Sequence, residues 1–286
     1  MVDTSSFLRL IPSAELSNRP QGISALVRVK NEEWWIKPSL LSIKDLVNEY
    51  IVIDGSTDNT IRIIDEVGKE WGLNLRHVID FDEDYVSVSN KALGLANYRW
   101  ILRWDADFIA KEEMTSVVRG LIDGFDPRKF YVVYWPHICL DGDLFHQDAS
   151  NPFSFEHWLA SCAPKSRFVK IPHGWEYFHV PSYYAKRIEL DQPLSFHLRT
   201  VRPPVRLLFR KYWHECEVQE LDGKVRLEEY VQKRINEEYG VDSIDAAAQI
   251  YLRGLLSQLT PYDKKKYGDY PQLLKDYAKN RFGLTL

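Results

Sequence analysis

Cysteine is scarce in this chain. Of 286 residues only Cys139, Cys162 and Cys216 are cysteines, an odd number, widely spaced and without a CxxC pair. That excludes a disulfide framework and a zinc knuckle, and leaves reduced cytosolic thiols as the expectation. An excess of either charge is missing too. Lysines and arginines number 37 against 41 acids, a net charge of -4, which leaves no footprint for nucleic acid. No apolar run approaches the roughly 20 residues of a membrane span. Residues 1–20 lack the basic-then-apolar order of a signal peptide. The expected setting is cytoplasmic, with at most peripheral contact at the inner face of a membrane. Internal repeats and low-complexity tracts are absent. Aromatics, in contrast, are plentiful, with 9 Trp, 16 Tyr and 13 Phe. They suit a large core and equally suit stacking against sugars.

The first 130 residues alternate strand-like and helix-like patterns. Apolar runs at residues 23–29, 50–53 and 100–104 read as strands, the first and last of them buried, and residues 75–79 read as a further strand. Between them, residues 33–43 carry Trp35, Ile36, Leu40 and Ile43 on one helical face, and Ile61, Ile64, Val67 and Trp71 follow helical spacing up to Gly72. Thr57 or Asp58 is a cap for the second helix, and residues 87–96 form a third. Such alternation predicts right-handed crossovers and a mostly parallel, doubly wound α/β sheet covered on both faces. After Gly124 the alternation stops. Residues 130–135 read as a strand, Asp141-Gly142 as a turn, and residues 136–205 as loops and short strands. From residue 225 onward the pattern is helical, with stripes at Leu227/Tyr230/Val231/Ile235, at Ile244/Ala247/Ala248/Tyr251/Leu252/Leu255 and at Leu273/Leu274/Tyr277.

The chemistry concentrates in Trp104-Asp105-Ala106-Asp107. Two carboxylates one residue apart follow an apolar strand, and on a continuing strand they point the same way. A hard divalent cation is the usual partner that relieves their repulsion. The spacing alone is weak, because Asp80/Asp82 and Asp141/Asp143 share it. Position distinguishes it. Strand one ends in Lys30-Asn31-Glu32, strand two in Asp54-Gly55-Ser56-Thr57-Asp58 and strand four in Asp105-Ala106-Asp107, and such ends meet at one crevice in a doubly wound sheet. Asp54 is placed to accept from a nucleobase N–H, and Gly55 lets the backbone come close to a ligand. Turn and cap chemistry alone also explains the segment from Asp54 to Asp58.

With these residues in hand, the chain resembles a family 2 glycosyltransferase of the GT-A fold. The likeness runs through Ser24-Ala25-Leu26-Val27-Arg28-Val29-Lys30-Asn31-Glu32-Glu33, then Ile51-Val52-Ile53-Asp54-Gly55-Ser56-Thr57-Asp58. It continues through Ser89-Asn90-Lys91-Ala92-Leu93-Gly94 into Trp100-Ile101-Leu102-Arg103-Trp104-Asp105-Ala106-Asp107, roughly residues 22–110. The resemblance implies inverting transfer of a sugar from a nucleotide-diphosphate donor, a UDP-sugar by preference, to an acceptor hydroxyl on a glycan, a lipid-linked sugar or another molecule. It implies that backbone near Arg28 and the Asp54 carboxylate hold the base, with Asn31 and Glu32 beside them. It further implies that Asp105 faces the ribose or a metal-bound water and that Asp107 binds Mn2+ or Mg2+ directly. Three positions depart from the family pattern. Arg28 stands where Pro is frequent, Ile53 where the first of two Asp is frequent, and Ser89 where Arg is frequent. Arg28 or Lys91 is the expected substitute for that arginine.

Downstream, the resemblance implies a metal-completing histidine before a basic stretch, which His197 fits in Ser195-Phe196-His197-Leu198-Arg199-Thr200-Val201-Arg202. Arg199 and Arg202 are expected to grip the diphosphate or an anionic membrane surface. Pro203-Pro204 argues against one continuous amphipathic helix there. The carboxylate base of an inverting reaction falls to Glu176, set among aromatics in His173-Gly174-Trp175-Glu176-Tyr177, with Asp148 and Asp191 as rivals. The expected organisation is a lead-in over 1–21, a GT-A catalytic domain over 22–215 and a helical extension over 216–286. The catalytic domain divides into a nucleotide-sugar half, 22–130, and an acceptor half, 131–215. The extension is expected to cap the acceptor groove, to form a homodimer or to rest on a membrane. The alternative from another class is a GT-A-like module that binds nucleotide or glycan without turnover. A phosphatase of the haloacid-dehalogenase type is set aside because its Asp-X-Asp lies on the first strand. A nucleotidyltransferase is set aside because no glycine-rich loop follows strand one.

Overall fold

The computed structural model describes residues 19–81, 84–171, 176–181, 185–219, 221 and 224–286. Asp82 and the residues 172–175 that precede Glu176 lie outside them. The elements in chain order are β1 (Ile23–Val29), α1 (Ile36–Ser42), β2 (Glu49–Asp54), α2 (Thr60–Glu70), β3 (Leu75–Ile79), α3 (Tyr85–Leu95) and β4 (Trp100–Asp105). Next come β5 (Phe108–Ala110), α4 (Met114–Gly124), β6 (Phe130–Cys139), β7 (His146–Gln147), β8 (Phe153–Ser161), β9 (Arg167–Lys170) and β10 (Glu176–His179). The chain continues with β11 (Ala185–Glu189), β12 (Ser195–His197), α5 (Pro204–Val218), α6 (Leu227–Tyr239) and α7 (Ile244–Leu256). It closes with β13 (Thr260–Pro261), α8 (Lys264–Tyr267) and α9 (Gln272–Phe282).

Two compact units share these elements. The first runs to His137 and includes Phe155–Ser195 and Pro271–Tyr277; the second comprises Ile138–Ser154, Phe196–Tyr270 and Ala278–Leu286. The α/β class and mostly parallel sheet expected from the sequence are what the chain forms. The main sheet follows the order β3-β2-β1-β4-β8-β6-β12-β5, with β11 beside β6. Strands β3, β2, β1 and β4 run parallel, and β8 joins β4 antiparallel.

Strands β1, β2 and β4 read as largely apolar runs because both of their faces are covered, while β3, at the sheet edge, is partly exposed. On one face Ala25, Val27, Val29, Val52, Leu102 and Trp104 pack against Ile36 and Leu40 of α1 and Ile64 and Val67 of α2. On the other, Leu26, Ile51, Ile53 and Ile101 meet Val88, Ala92 and Leu93 of α3 and Phe168 and Phe178 of the β9–β10 hairpin. Local chemistry sets the helix starts. The Glu32 carbonyl accepts from both Trp35 and Ile36, so residues 33–35 form a turn and α1 begins later than the periodicity predicts. Asp84 caps α3 by accepting from the Ser87 N–H, two residues ahead of the expected start.

Helix α5 is the main departure. Residues 204–218 form a helix that the sequence reading left unassigned, and the expected boundary at 215/216 falls inside it; residues 199–203 ahead of it are not helical, as Pro203-Pro204 led us to expect. Proline at a first helical position lacks only an N–H that would have had no intrahelical partner, so Pro204 opens the helix rather than breaking it. In the second unit Leu208 and Tyr212 of α5 pack with Val231 and Ile235 of α6 and Ala247 and Ala248 of α7, so the apolar stripes of the expected extension cover one another. The third stripe belongs to the first unit. Tyr277 donates to the Trp34 carbonyl at 2.7 Å and lies 5.9 Å from the Trp35 ring, and the Gln272 N–H donates to Glu112. No helix among the described residues is long and apolar enough to cross a membrane.

Candidate active site

Strand β4 ends at Asp105, residues 106–107 turn, and β5 restarts at Phe108. The two carboxylates therefore belong to a strand end and a turn, not to one continuing strand, and alternation along a strand does not set their directions. Both ends of the turn are anchored. Trp104 is 0% exposed and Phe108 1%. The Trp104 indole N–H donates to Ser39 Oγ at 3.0 Å, and Ser39 Oγ donates to the Asp105 carbonyl at 3.1 Å. A serine of α1 thus fixes the backbone from which Asp105 projects. Asp107 is buried, and the half-buried Asp105 carboxylate lies 3.6 Å from the Arg103 guanidinium. Among the described residues no three carboxylate, imidazole or thiolate groups form a ready-made metal cage. A two-carboxylate oxygen set nonetheless fits Mg2+ or Mn2+, since such ions are held by one or two carboxylates together with substrate phosphates.

Strand register places the expected ends side by side. Arg28 pairs with Asp105, and Val29 pairs with Asp54. That offset of one residue puts the Asp54 and Asp105 side chains on opposite faces of the sheet, where the sequence led us to expect one shared crevice. Asp54 is 0% exposed. One of its oxygens accepts from the Ser56 N–H at 2.7 Å, and the other meets His77 Nε2 at 3.1 Å. His77 Nδ1 in turn meets Asp65 at 2.8 Å. Gly55 is explained by chain packing, because a Cβ there would stand 3.0 Å from the Asp80 carbonyl oxygen. Asn31, at φ 57°, accepts from the N–H groups of Thr57 at 2.6 Å and Asp58 at 3.2 Å, while its own N–H donates to Ser56 Oγ. The Glu32 N–H donates to Thr60 Oγ1 at 2.9 Å. The loops after β1 and β2 are therefore pinned to each other through Asn31 and Glu32.

Burial works against a charged His77, but its hydrogen bonds to Asp54 and Asp65 outweigh burial and raise its pKa above the ordinary 6.5. A raised folded-state pKa contributes stability that is complete below the unfolded value and is lost as pH rises through the folded one. The melting temperature of the parent protein should exceed that of His77→Gln most at mildly acidic pH, and the gap should close as pH rises. A gap that widens with pH in a thermal-melt series would reverse this assignment.

On the other face, Arg28 is the centre of a cluster that the sequence leaves unconnected. Its guanidinium lies 2.8 Å from Glu176 Oε1, donates to Ser89 Oγ at 3.3 Å and stacks 4.5 Å from the centre of the Tyr85 ring. Ser89 Oγ donates to Glu176 Oε2 at 2.5 Å, and Arg103 Nε lies 3.6 Å from Glu176 Oε1. Ser89 stands where the resemblance leads one to expect arginine, and the Arg28 guanidinium reaches its hydroxyl from β1. Lys91, the other expected substitute, pairs with Asp80 at 2.5 Å. Sequence reading missed Ser89, Arg103 and Tyr85. A charged residue inside the apolar run of β4 was the available signal for Arg103, since a buried guanidinium requires an acidic partner.

The second unit holds the remaining candidates. His197 Nδ1 lies 3.3 Å from Ser154 Oγ. Arg199 makes a bidentate pair with Asp141 at 2.8 and 2.7 Å, and Thr200 Oγ1 donates to the same carboxylate. Asp141 thus serves an arginine, while Asp143 meets His146 Nδ1 at 2.7 Å. Arg202 donates to the Arg199 carbonyl at 2.7 Å. Hydrogen bonds from the Ser150 hydroxyl and N–H hold the Asp148 carboxyl below the usual carboxylate range. In the first unit, Asp191 is exposed just after β11.

Comparison with known proteins gives one family match, Glycosyl transferase family 2, over residues 24–162. A TPR repeat-containing protein of Synechococcus elongatus is 33% identical over 112 residues, which cover 39% of this chain and 27% of that protein. An uncharacterized glycosyltransferase of Rickettsia felis is 27% identical over 139 residues, covering 46% of this chain and 44% of the relative. The chain therefore spans less than half the length of the curated relatives it matches. A crystal structure of S. aureus TarS 1–349 in complex with UDP aligns with 82% of this chain and 70% of that chain, at a TM-score of 0.44 and 16% identity.

Proposed function

We propose, from the family match over residues 24–162, that the chain is an inverting glycosyltransferase of family 2. It moves a hexosyl group from a nucleotide-diphosphate donor, a UDP-sugar by preference, to an acceptor hydroxyl, with Mn2+ or Mg2+ as cofactor. One observation supports this reading: Asp105 ends β4 beside Arg28, its register partner at the carboxyl end of β1, and Asp107 follows in the turn. That edge of an open α/β sheet is where ligands bind. Asp107 and Asp105 would hold the cation, which when bound supplies Lewis acidity toward the diphosphate. The Trp104–Ser39–Asp105 relay keeps this pair in place before donor arrives, so little reorganisation accompanies binding.

Single displacement needs a carboxylate to take the acceptor's proton. Glu176 is held by two arginines and a serine, and Asp148 is weakened as a base by Ser150. Asp191, open to solvent after β11, is the candidate that remains. The acceptor is a glycan, lipid-linked or other hydroxyl.

A thermal-shift panel of UDP-, GDP- and dTDP-sugars, with and without Mn2+, tests the reading. A donor at a hundred times its Kd should stabilise the folded chain by about 2.7 kcal/mol. No shift with any nucleotide would overturn the proposal. Saturable binding without metal-dependent turnover would instead make the chain a nucleotide-binding module.

A further inference from the structure

We propose that the amino-end pole of the parallel sheet carries a second binding site, for a neutral saccharide, built on Asn74, Arg76, Asn97 and Tyr98. The candidate active site lies at the carboxyl ends of the same strands. At their other ends opens a cavity of about 410 Å³, lined by residues that all belong to the first unit. Glu49 is the first residue of β2 and Leu75 the first of β3, while Asn97 and Tyr98 shortly precede β4. The volume falls within the roughly 300–1,000 Å³ usual for small-molecule sites. No step of the proposed transfer uses this end of the sheet.

The polar groups of the cavity are oriented in advance. Glu49 is 5% exposed, and its carboxylate accepts from the Asn97 N–H and the Asn97 amide, each at 2.7 Å, and from Ser24 Oγ at 2.6 Å. Burial works against the charge on Glu49, but these hydrogen bonds outweigh it and hold the carboxyl below its usual range. The Asn97 amide nitrogen is thereby committed, and its oxygen is left as an acceptor. Asn74 repeats the pattern, because its amide nitrogen donates to the Asn48 carbonyl at 3.0 Å and its amide oxygen remains. Among the described residues, the exposed Arg76 guanidinium has no hydrogen bond or ion pair, and the Tyr98 hydroxyl has no partner. The Tyr98 ring lies against Gly22, at φ 146°, where a Cβ would collide with it. Two oriented acceptors, a guanidinium donor, a hydroxyl and a fixed ring complement a pyranose, whose hydroxyls both donate and accept and whose C–H face packs on an aromatic ring. Charge decides against other ligands. Arg76 and Glu49 balance, so an anion meets the buried carboxylate and a cation meets the guanidinium. An apolar ligand would cover these polar groups without pairing them. A site so far from the reacting end would hold a distal part of a glycan; that role, though not saccharide binding itself, rests on the glycosyltransferase reading above.

The test uses the full chain and the methyl glycosides of glucose, galactose, mannose and N-acetylglucosamine, with glycerol as control. Each is titrated by saturation-transfer NMR without nucleotide or metal. At least one glycoside should bind the parent protein, and glycerol should not. Arg76→Ala removes an exposed side chain and should weaken that glycoside roughly tenfold to a hundredfold, the range of a hydrogen bond to a charged group. Tyr98→Ala should weaken it as well, while both variants bind UDP within about twofold of the parent. Saturating UDP should leave glycoside binding unchanged. The proposal is overturned by a parent that binds no glycoside, or binds them no better than glycerol. Binding undiminished in Arg76→Ala, or displaced by UDP, also overturns it. If Tyr98→Ala does not fold, Arg76→Ala decides the matter. A parent that binds a glycoside but no nucleotide keeps this site and removes the donor reading. One that binds nucleotide but no glycoside removes only this site.

Discussion

Replacing Asp107 by alanine is expected to lower metal-dependent release of nucleoside diphosphate from a nucleotide-sugar by about 10²- to 10³-fold in kcat/KM, the usual effect of removing one group that stabilises developing charge. The reasoning starts from the turn at 106–107. Asp107 is buried where β4 passes into β5, between Trp104 and Phe108, so its carboxylate is held by backbone whose neighbours are fully packed. Asp105 is half-buried and has Arg103 beside it, which already offsets part of its charge. Asp105→Ala should therefore cost less than Asp107→Ala. The Mn2+-dependent gain in nucleotide affinity should disappear in Asp107→Ala, while metal-free nucleotide affinity should stay close to that of the parent. Turnover by Asp107→Ala within tenfold of the parent would remove this residue from the metal site.

Trp104→Ala should be the most destabilising single change near the site, at about 3–5 kcal/mol. The indole is 0% exposed, lies 5.8 Å from the Phe108 ring and donates to Ser39. A loss of that size is a large share of the roughly 5–15 kcal/mol that holds a typical domain folded. Trp104→Phe separates two contributions. It retains most of the packing but removes the N–H that orients Ser39, so stability should fall by about 1–3 kcal/mol, the cost of a buried partner left unsatisfied. Activity should fall further than that loss alone explains, because Ser39 also donates to the Asp105 carbonyl. Denaturant midpoints and donor turnover, measured on both variants, check the pair. A Trp104→Ala midpoint matching that of the parent would contradict the packing described here.

The parallel half of the fold was legible because its signal is local. Three apolar runs, each closed by polar residues, mark β1, β2 and β4 and the carboxyl ends on which the candidate residues sit. Register was not legible. Nothing in the order of residues says that Asp54 pairs with Val29 while Asp105 pairs with Arg28, and a single residue of offset reverses the face. The site therefore reads as one acidic crevice in the sequence and as two environments in the structure: an Asp54–His77 network under α2 and an Arg28–Glu176 cluster under α3. Glu176 was picked out as a carboxylate among aromatics. Its partners Ser89 and Arg28 lie far away along the chain, and no periodicity reports a tertiary ion pair. Helix α5 was missed for a different reason. Pro203-Pro204 marked correctly where no helix runs through, but the residues after it, Val205 to Val218, carry mixed charged and aromatic side chains with no clean apolar stripe to announce the helix.

The contact between Tyr277 and Trp34 has a consequence for biosynthesis. The two residues are 243 positions apart, and the stretch that brings Tyr277 into place, Pro271–Tyr277, belongs to the first unit. A ribosome delivers the chain from its amino end, and domains generally fold as they emerge. The first unit cannot finish in that order. Its Trp35 flank waits for its cover while residues 196–270 of the other unit are being made. A nascent chain that stalls within that interval exposes an aromatic surface of the kind that chaperones hold, although every strand of the parallel sheet has already been synthesised.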